Sequence, residues 1–178
     1  MNNILYRSLR YEDLSLIRDI DRSEEIFSMY KLKEGRLIAE PHRESVTDWD
    51  EVELEQLILN QQVILQNKGV VIGAFDHQKL IGAASVENLR RGNSAAYFKL
   101  DILYVSKRYR GHRIGKHLMN FCKTIGRNFG GDKLYISATP TKHTVDFYMR
   151  HGAVLAEETD TALLEKEPDD IHLELFVG

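Results

Sequence analysis

Apolar residues recur along the chain at two different spacings, which separate predicted helices from predicted strands. A spacing of three or four residues marks a helix with one buried face, whereas short apolar runs rich in β-branched residues mark strands. The helical spacing predicts four helices: one begins at Tyr11, and the others cover residues 51–67, 115–129 and 141–151. A glycine follows each of the last three within two residues, as is common where a helix ends.

Between the helices the spacing shortens and predicts strands over residues 4–9, 70–75, 80–86, 95–105, 133–137, 153–157 and 171–177. Polar turns at residues 76–79 and 87–93 join three of them as antiparallel hairpins, and the later strands alternate with helices. This order predicts an α/β (α+β) fold, in which helices cover both faces of a mixed, mostly antiparallel central sheet of about seven strands. Residues 23–42 follow neither spacing and are interpreted as a loop or short helix, followed at most by a strand near residues 36–39.

The composition limits the function classes. The 178 residues contain no repeat and no low-complexity linker, so we predict a single domain over residues 1–178. A net charge of −3 provides no general attraction to nucleic acid or to an anionic membrane. Cys122 is the one cysteine, which excludes an internal disulfide, and the histidines lack the spacing of metal ligands. No signal peptide or long apolar run is recognisable, so the predicted location is cytoplasmic.

Basic residues and glycines are concentrated between the strand over residues 95–105 and the helix that follows it. This turn contains Arg110, Gly111, His112, Arg113, Ile114, Gly115 and Lys116. A helix N-terminus offers unpaired amides and a partial positive charge, and glycine lets a ligand approach the backbone closely. We therefore expect the turn to bind a phosphate or pyrophosphate, although its glycine spacing fits neither a P-loop nor a dinucleotide-binding turn.

Two other interpretations of this turn are compatible with its residues. The first is a solvated basic loop that only caps a helix. The second is a nucleic-acid-binding patch, which the negative net charge and the few aromatic residues near the basic ones disfavour.

The turn and a second segment are similar to motifs of the GNAT superfamily of N-acetyltransferases. In that family a strand ending in an apolar-aromatic-valine run leads to arginine-glycine-x-glycine-x-glycine and a helix. Here residues 103–105 read LYV and residues 110–115 read RGHRIG, with Arg113 where the family often has a glycine. Downstream, Phe147, Tyr148 and Gly152 match the family's next motif. The resemblance covers roughly residues 80–177.

The resemblance implies direct transfer of an acetyl group from acetyl-CoA, as co-substrate, to a primary amine, without a metal. It assigns the pyrophosphate to the turn that contains Arg110, Gly111, His112, Arg113, Ile114, Gly115 and Lys116. It assigns the pantetheine arm to the main chain of the strand end that contains Leu103, Tyr104 and Val105.

Proton transfer in this reaction needs an acid and a base. Tyr148 occupies the family position of the general acid that protonates the leaving thiolate. Asp101 is the candidate base, because several family members carry an acidic residue at this place in the strand, and Glu87 is the reserve. The residues alone leave open that Asp101 is an ion-pair partner and that Tyr148 is a core aromatic. Cys122 lies on the apolar face of its helix and is interpreted as a core residue.

The acceptor is expected to contact residues 24–42 and 87–93, with Glu24 and Tyr30 as candidate contacts. An acidic and aromatic wall there suits a cationic small-molecule or peptide amine, whereas a solvated loop is the simpler interpretation. A second function class is a CoA-binding or sensing module that has lost turnover, and the presence of both Asp101 and Tyr148 favours the enzyme. The last strand fits an ordinary sheet strand and also a homodimer interface.

Overall fold

Nine strands and four α-helices make up the computed structural model, which describes residues 4–178. The strands are β1 Leu5–Ser8, β2 Glu24–Lys33, β3 Arg36–Val46, β4 Val70–Asp76, β5 Lys79–Arg91, β6 Tyr97–Val105, β7 Lys133–Ala138, β8 Val154–Leu155 and β9 Ile171–Phe176. The helices are α1 Glu51–Gln66, α2 Ile114–Asn128, α3 Lys142–Arg150 and α4 Thr161–Lys166, with short 3-10 helices at Tyr11–Asp19 and Lys107–Tyr109.

Seven of the strands form one sheet in the order β1-β4-β5-β6-β7-β9-β8, and β2 and β3 form a separate hairpin. Every neighbouring pair in the large sheet is antiparallel except β6 and β7, which are parallel. The parallel pair is joined through α2, as a crossover connection requires. The predicted mixed, mostly antiparallel sheet of about seven strands is confirmed.

Alternating residues of the sheet pack into two large hydrophobic clusters, one on each face, and Tyr97 and Tyr135 form a smaller third cluster with Leu163. Val71 joins a cluster with Leu54 of α1, whereas its neighbour Ile72 joins a cluster with Leu118 of α2 and Val145 of α3. Because successive side chains of a strand point to opposite faces, α1 covers one face and α2 and α3 cover the other. Within residues 4–178, none of the helices combines the length and the apolar composition that a membrane crossing needs.

The segment interpreted as a loop or short helix is the β2–β3 hairpin, so that prediction is wrong, whereas the strand allowed near residues 36–39 is the start of β3. The two strands pair from Glu24 opposite Val46 to Lys33 opposite Arg36. Glu34 and Gly35 form the tight turn, and both have positive φ, as this kind of two-residue hairpin turn requires. Most side chains of the hairpin are exposed, so it lacks the buried alternation by which strands are recognised in a sequence.

Smaller differences from prediction lie at the ends of elements. β5 continues through Arg91, so residues 87–91 are strand rather than turn. The helix predicted from Tyr11 is a 3-10 helix, and β8 has only two residues. The short helix α4 was not predicted. Asp160 caps it by accepting a hydrogen bond from the Leu163 amide.

Candidate active site

The parallel strands β6 and β7 separate soon after they begin. They pair only where residues 97–99 face residues 133–135. Beyond that point β7 stays paired with β9 as far as Ala138, and β6 stays paired with β5 as far as Val105. The sheet therefore opens at the C-terminal ends of these two strands.

A β-bulge in β6 lies at the place where the strands diverge. Ala84 of β5 faces Leu103 and Val86 faces Leu100, so Ser85 alone stands opposite Asp101 and Ile102. A bulge of this kind bends its strand and redirects the side chains beside it. Asp101 therefore lies at the bend, where β6 turns away from β7.

The main chain at the end of β6 directs hydrogen-bonding groups toward the opening, and of these the Val105 carbonyl accepts a hydrogen bond from Arg110 Nε at 3.0 Å. The Ser106 amide donates to the Ile81 carbonyl at 2.8 Å, and Val105 stands opposite Gly82. Hydrogen-bonded and non-hydrogen-bonded positions alternate along an antiparallel pair. The amides and carbonyls of Leu103 and Val105 therefore point away from β5 and toward the gap beside β7.

A cavity of about 790 Å³ occupies this opening. The predicted site residues that line it are Glu24, Asp101, Leu103, Tyr104, Val105, Arg110, Gly111, Arg113, Ile114, Gly115, Lys116 and Tyr148. Glu87, Tyr30 and His112 are not among its lining residues. Phe147 also lines the cavity, as do Ile26, Glu44, Val46 and Arg150, which the sequence did not single out. A volume of this size is typical of a small-molecule site.

The loop over residues 106–113, named the β6–α2 loop, leads into an open helix N-terminus. Gly111 and Arg113 have φ angles of 81° and 64°. Arg113 is the N-cap residue of α2, and its side chain makes no capping hydrogen bond. Arg113 thus adopts the left-handed conformation that a glycine would accept without strain. Within residues 4–178 the side chains of Arg113 and Lys116 make no hydrogen bond or ion pair, so both cations are available to an anion at this end.

Gly115 allows a close approach between two helices. A Cβ atom on Gly115 would lie 3.1 Å from two atoms of the Phe147 ring. The missing side chain lets α3 pack against the first turn of α2. This contact brings the phenylalanine-tyrosine pair of α3 next to the β6–α2 loop.

Tyr148 lies between the buried core and the cavity. Its side chain is 6% exposed, and it packs in the cluster that contains Cys122. Burial raises the pKa of the Tyr148 hydroxyl well above its ordinary value. The hydroxyl therefore stays protonated throughout the physiological pH range. Burial also raises the pKa of the Cys122 thiol to about 12, which agrees with the interpretation of that residue as core.

Both carboxylate oxygens of Asp101 accept hydrogen bonds from buried side chains. Gln61 of α1 donates through Nε2 to Oδ2 at 2.8 Å, and Lys99 donates through Nζ to Oδ1 at 2.7 Å. Both predicted environments of Asp101, ion-pair partner and cavity residue, are therefore present. Glu87 instead accepts a hydrogen bond from Arg91 at 2.8 Å, and its Oε1 lies 3.8 Å from Lys99 Nζ.

The β2–β3 hairpin forms the wall of the cavity opposite β6. Ile26, Met29 and Val46 contribute apolar surface there, and Glu24 and Glu44 contribute carboxylates. We call these five residues the acceptor wall. Tyr30 is directed elsewhere, because its hydroxyl donates to Asp146 of α3 at 2.8 Å.

Residues 25–153 match the family model described as the acetyltransferase (GNAT) family. This segment covers more than half of the chain, so the chain belongs to the GNAT family and is an acetyltransferase. No curated protein sequence matches the chain.

Solved structures of other acetyltransferases have the same fold. Nourseothricin acetyltransferase is similar with a TM-score of 0.73 and 19% identity, over 98% of this chain and 99% of that one. A putative streptothricin acetyltransferase from Bacillus anthracis, in complex with acetyl coenzyme A, has a TM-score of 0.65 and 21% identity, over 98% and 97% of the two chains. PaiA N-acetyltransferase from Thermoplasma acidophilum, in complex with coenzyme A, has a TM-score of 0.61 and 20% identity, over 98% and 99%.

Proposed function

We propose that the protein transfers an acetyl group from acetyl-CoA to a primary amine by direct attack. The observation that carries the proposal is the convergence on one cavity of the β6 main chain, the β6–α2 loop and Tyr148. Family membership gives the class of reaction, and the residues that line the cavity support the proposed steps of that reaction.

Acetyl-CoA suits the end of the cavity formed by β6 and α2. Its pantetheine arm carries amide groups, which pair with the amide and carbonyl of Leu103 and with the Val105 amide as an added strand would. Its pyrophosphate suits the amides after Gly111 and the free cations Arg113 and Lys116. Two of the similar structures contain acetyl coenzyme A or coenzyme A, which supports this choice of co-substrate.

The attacking amine must lose a proton. A lysine-like amine is neutral in only about one molecule in a thousand at pH 7, so a base beside the cavity increases the reactive fraction. Asp101 takes this role, directly or through one water. The amine nitrogen then bonds to the thioester carbon, and the tetrahedral intermediate collapses by breaking the C–S bond.

The leaving thiolate requires a hydrogen-bond donor. Tyr148 reaches the cavity from α3, and its raised pKa keeps the hydroxyl protonated. The same raised pKa makes complete proton transfer to a thiolate unfavourable, since an ordinary thiol has a pKa of about 8.5. Tyr148 therefore stabilises the developing negative charge on sulfur by donating a hydrogen bond, and solvent completes the protonation.

The acceptor enters beside the acceptor wall. The carboxylates of Glu24, Glu44 and Asp101 favour a positively charged amine, and Ile26 and Met29 offer contact to its apolar part. Two similar structures are named for acetylation of nourseothricin and streptothricin, so both compounds belong in a screen of acceptors.

The test is release of free coenzyme A from acetyl-CoA with purified protein and a panel of amines. The panel contains nourseothricin, streptothricin, spermidine, lysine and a lysine-containing peptide, and mass spectrometry identifies the acetylated product. Thiol release matched by a mass increase of one acetyl group supports the proposal. Tight binding of acetyl-CoA with no acetylation of any amine would instead favour a binding module without turnover.

A further inference from the structure

Arg110, the arginine that begins the glycine-containing turn, directs its guanidinium at the protein rather than along the helix N-terminus. Its Nε donates to the Val105 carbonyl at 3.0 Å, and its Nη2 donates to the Arg22 carbonyl at 3.2 Å. Its Nη1 lies 3.7 Å from Oε2 of Glu24. One side chain thus joins the end of β6 to the start of β2.

Further contacts hold the same junction. The Lys107 amide donates to the Asp21 carbonyl at 2.9 Å, and the Asp21 amide donates to the Ser106 hydroxyl at 3.0 Å. The chain that enters the hairpin is therefore tied to the β6–α2 loop through main-chain groups and through Arg110.

The hairpin is also attached to the helix that carries Tyr148. The Tyr30 amide donates to the Pro140 carbonyl at 2.7 Å, and Met29 forms a β-bridge with Thr141, the cap residue of α3. The hairpin thus spans the cavity from the β6–α2 loop to the start of α3. A two-stranded hairpin is marginally stable alone, so these attachments determine where the acceptor wall lies.

We propose that Arg110 is a positioning residue that couples coenzyme binding in the β6–α2 loop to the placement of the acceptor wall. The inference rests on the proposed function for the identity of the ligand. Arg110 directly precedes Gly111, whose backbone belongs to the anion site, so ordering of the loop by a pyrophosphate also orders the guanidinium. The guanidinium then holds the Arg22 carbonyl and the Glu24 carboxylate. By reciprocity, a bound acceptor strengthens coenzyme binding to the same degree.

This role differs from the phosphate contact that the sequence motif implies for Arg110. A phosphate ligand would control coenzyme affinity, as expected for Lys116, which has no protein partner within residues 4–178. A coupling residue instead controls how the hairpin responds to coenzyme. The two roles therefore predict opposite patterns in variants.

Hydrogen exchange measured by mass spectrometry on the full chain distinguishes these roles, with coenzyme A as the probe. In the unaltered protein, coenzyme A is expected to slow exchange of amides in Glu24–Lys33 and Arg36–Val46 at least fivefold. In Arg110→Met the slowing is expected to fall below twofold. Arg108→Met is the matched control, because Arg108 is exposed, lies two residues before Arg110 and is outside the cavity lining. Equal protection of the hairpin in Arg110→Met and the control would overturn the proposal.

Failure of the proposed function gives a different result in the same experiment. If coenzyme A does not bind the unaltered protein, the proposed function fails. The attachment of the hairpin to the β6–α2 loop through Arg110 can still be measured without ligand. Faster hydrogen exchange of hairpin amides in unliganded Arg110→Met than in Arg108→Met then supports this attachment, and equal exchange overturns it.

Steady-state kinetics provide a readout that a merely structural residue would not change selectively. With the most active amine of the panel as acceptor, Arg110→Met is expected to raise the KM of that amine at least tenfold and to change the coenzyme A Kd less than threefold. Arg110→Lys retains the charge without the forked donors and is expected to recover only part of the loss. Lys116→Ala should show the reverse pattern. A loss of coenzyme affinity in Arg110→Met equal to that of Lys116→Ala, with an unchanged amine KM, would refute the coupling role.

Discussion

Nε2 of Gln61 on α1 lies 2.8 Å from Oδ2 of Asp101 on β6, and the Gln61 side chain is completely buried. Lys99 holds the other oxygen of the same carboxylate at 2.7 Å. Asp101 therefore has one fixed orientation at the bulge of β6, determined by a neutral donor from one element and a charged donor from another. This carboxylate is a structural ion-pair partner whether or not it also accepts a proton from the substrate.

Removal of Asp101 should destabilise the protein more than removal of the whole ion pair. Asp101→Ala removes the 2.7 Å partner of the buried Lys99 ammonium and leaves Glu87, at 3.8 Å, and the more distant Glu167 as counterions. We expect a loss of about 3 kcal/mol in the free energy of unfolding, and a smaller loss in the double variant Lys99→Met/Asp101→Ala. Urea denaturation of the single and double variants measures both. Additive losses would contradict the coupling between the two residues.

Replacement of Tyr148 by phenylalanine should separate catalysis from binding. Without the hydroxyl, kcat is expected to fall about 10²-fold or more, because the thiolate loses its donor. The coenzyme A Kd and the unfolding midpoint should change little, since the hydroxyl makes no hydrogen bond within residues 4–178. Kinetics with the most active amine, calorimetry and thermal denaturation measure the three quantities. Parallel losses of turnover and affinity would indicate that Tyr148 acts by packing.

Arg113→Gly should change stability and coenzyme affinity in opposite directions. Arginine at a φ of 64° is strained, so glycine is expected to raise the free energy of unfolding by about 1 kcal/mol. Loss of the cation should weaken coenzyme A binding by about 1 kcal/mol, roughly fivefold. Arg113→Lys is the matched control, since it retains the charge and the strain. A stability gain in Arg113→Lys, or tighter binding in Arg113→Gly, would contradict this explanation.

Asp170 should make stability depend on pH between about 4 and 6. Burial raises its pKa to about 6, although Ser137, a cavity residue, donates to its Oδ2 at 2.9 Å. A carboxyl whose pKa is raised in the folded protein favours folding when it is protonated, so stability falls as the pH rises from the unfolded value toward 6. Asp170→Asn should therefore stabilise the protein at pH 7.5, by about 1 kcal/mol after allowance for solvent screening, and have little effect below pH 4.

Urea denaturation of Asp170→Asn at pH 7.5 and pH 3.8 measures this difference. Asp169→Asn is the control, because Asp169 is the adjacent carboxylate and is exposed. A gain of equal size at both pH values would show that the effect does not come from ionisation of Asp170.

The parts of the fold that could be predicted from the sequence have clear local patterns of apolar residues and glycines. The buried stripe of α2 and the glycines of the turn are visible within about twenty residues, and the turn that they mark lines the cavity beside β6. The hairpin has no such signal. Phe27, Leu32 and Ile38 are exposed on it, so its apolar positions do not follow the burial pattern from which strands are inferred.

The sequence also did not predict which distant residues the side chains of the site contact. Gln61 meets Asp101 across forty residues of chain, and Arg110 reaches back to the carbonyl of Arg22, eighty-eight residues away. Such contacts depend on how the finished elements pack. Gly35 is a local feature that marks the turn of the hairpin, because glycine readily adopts the positive φ that a two-residue connection needs.

The short pairing of β6 with β7 also bears on how the site tolerates change. At this opening the main chain of β6 presents peptide amides and carbonyls, which every residue except proline supplies alike. Substitution of the surrounding side chains alters the shape of the opening while leaving these groups in place. Sequences can therefore diverge at most positions around such a site while its main-chain geometry is preserved. The similar structures, with about one identical residue in five, retain the same fold.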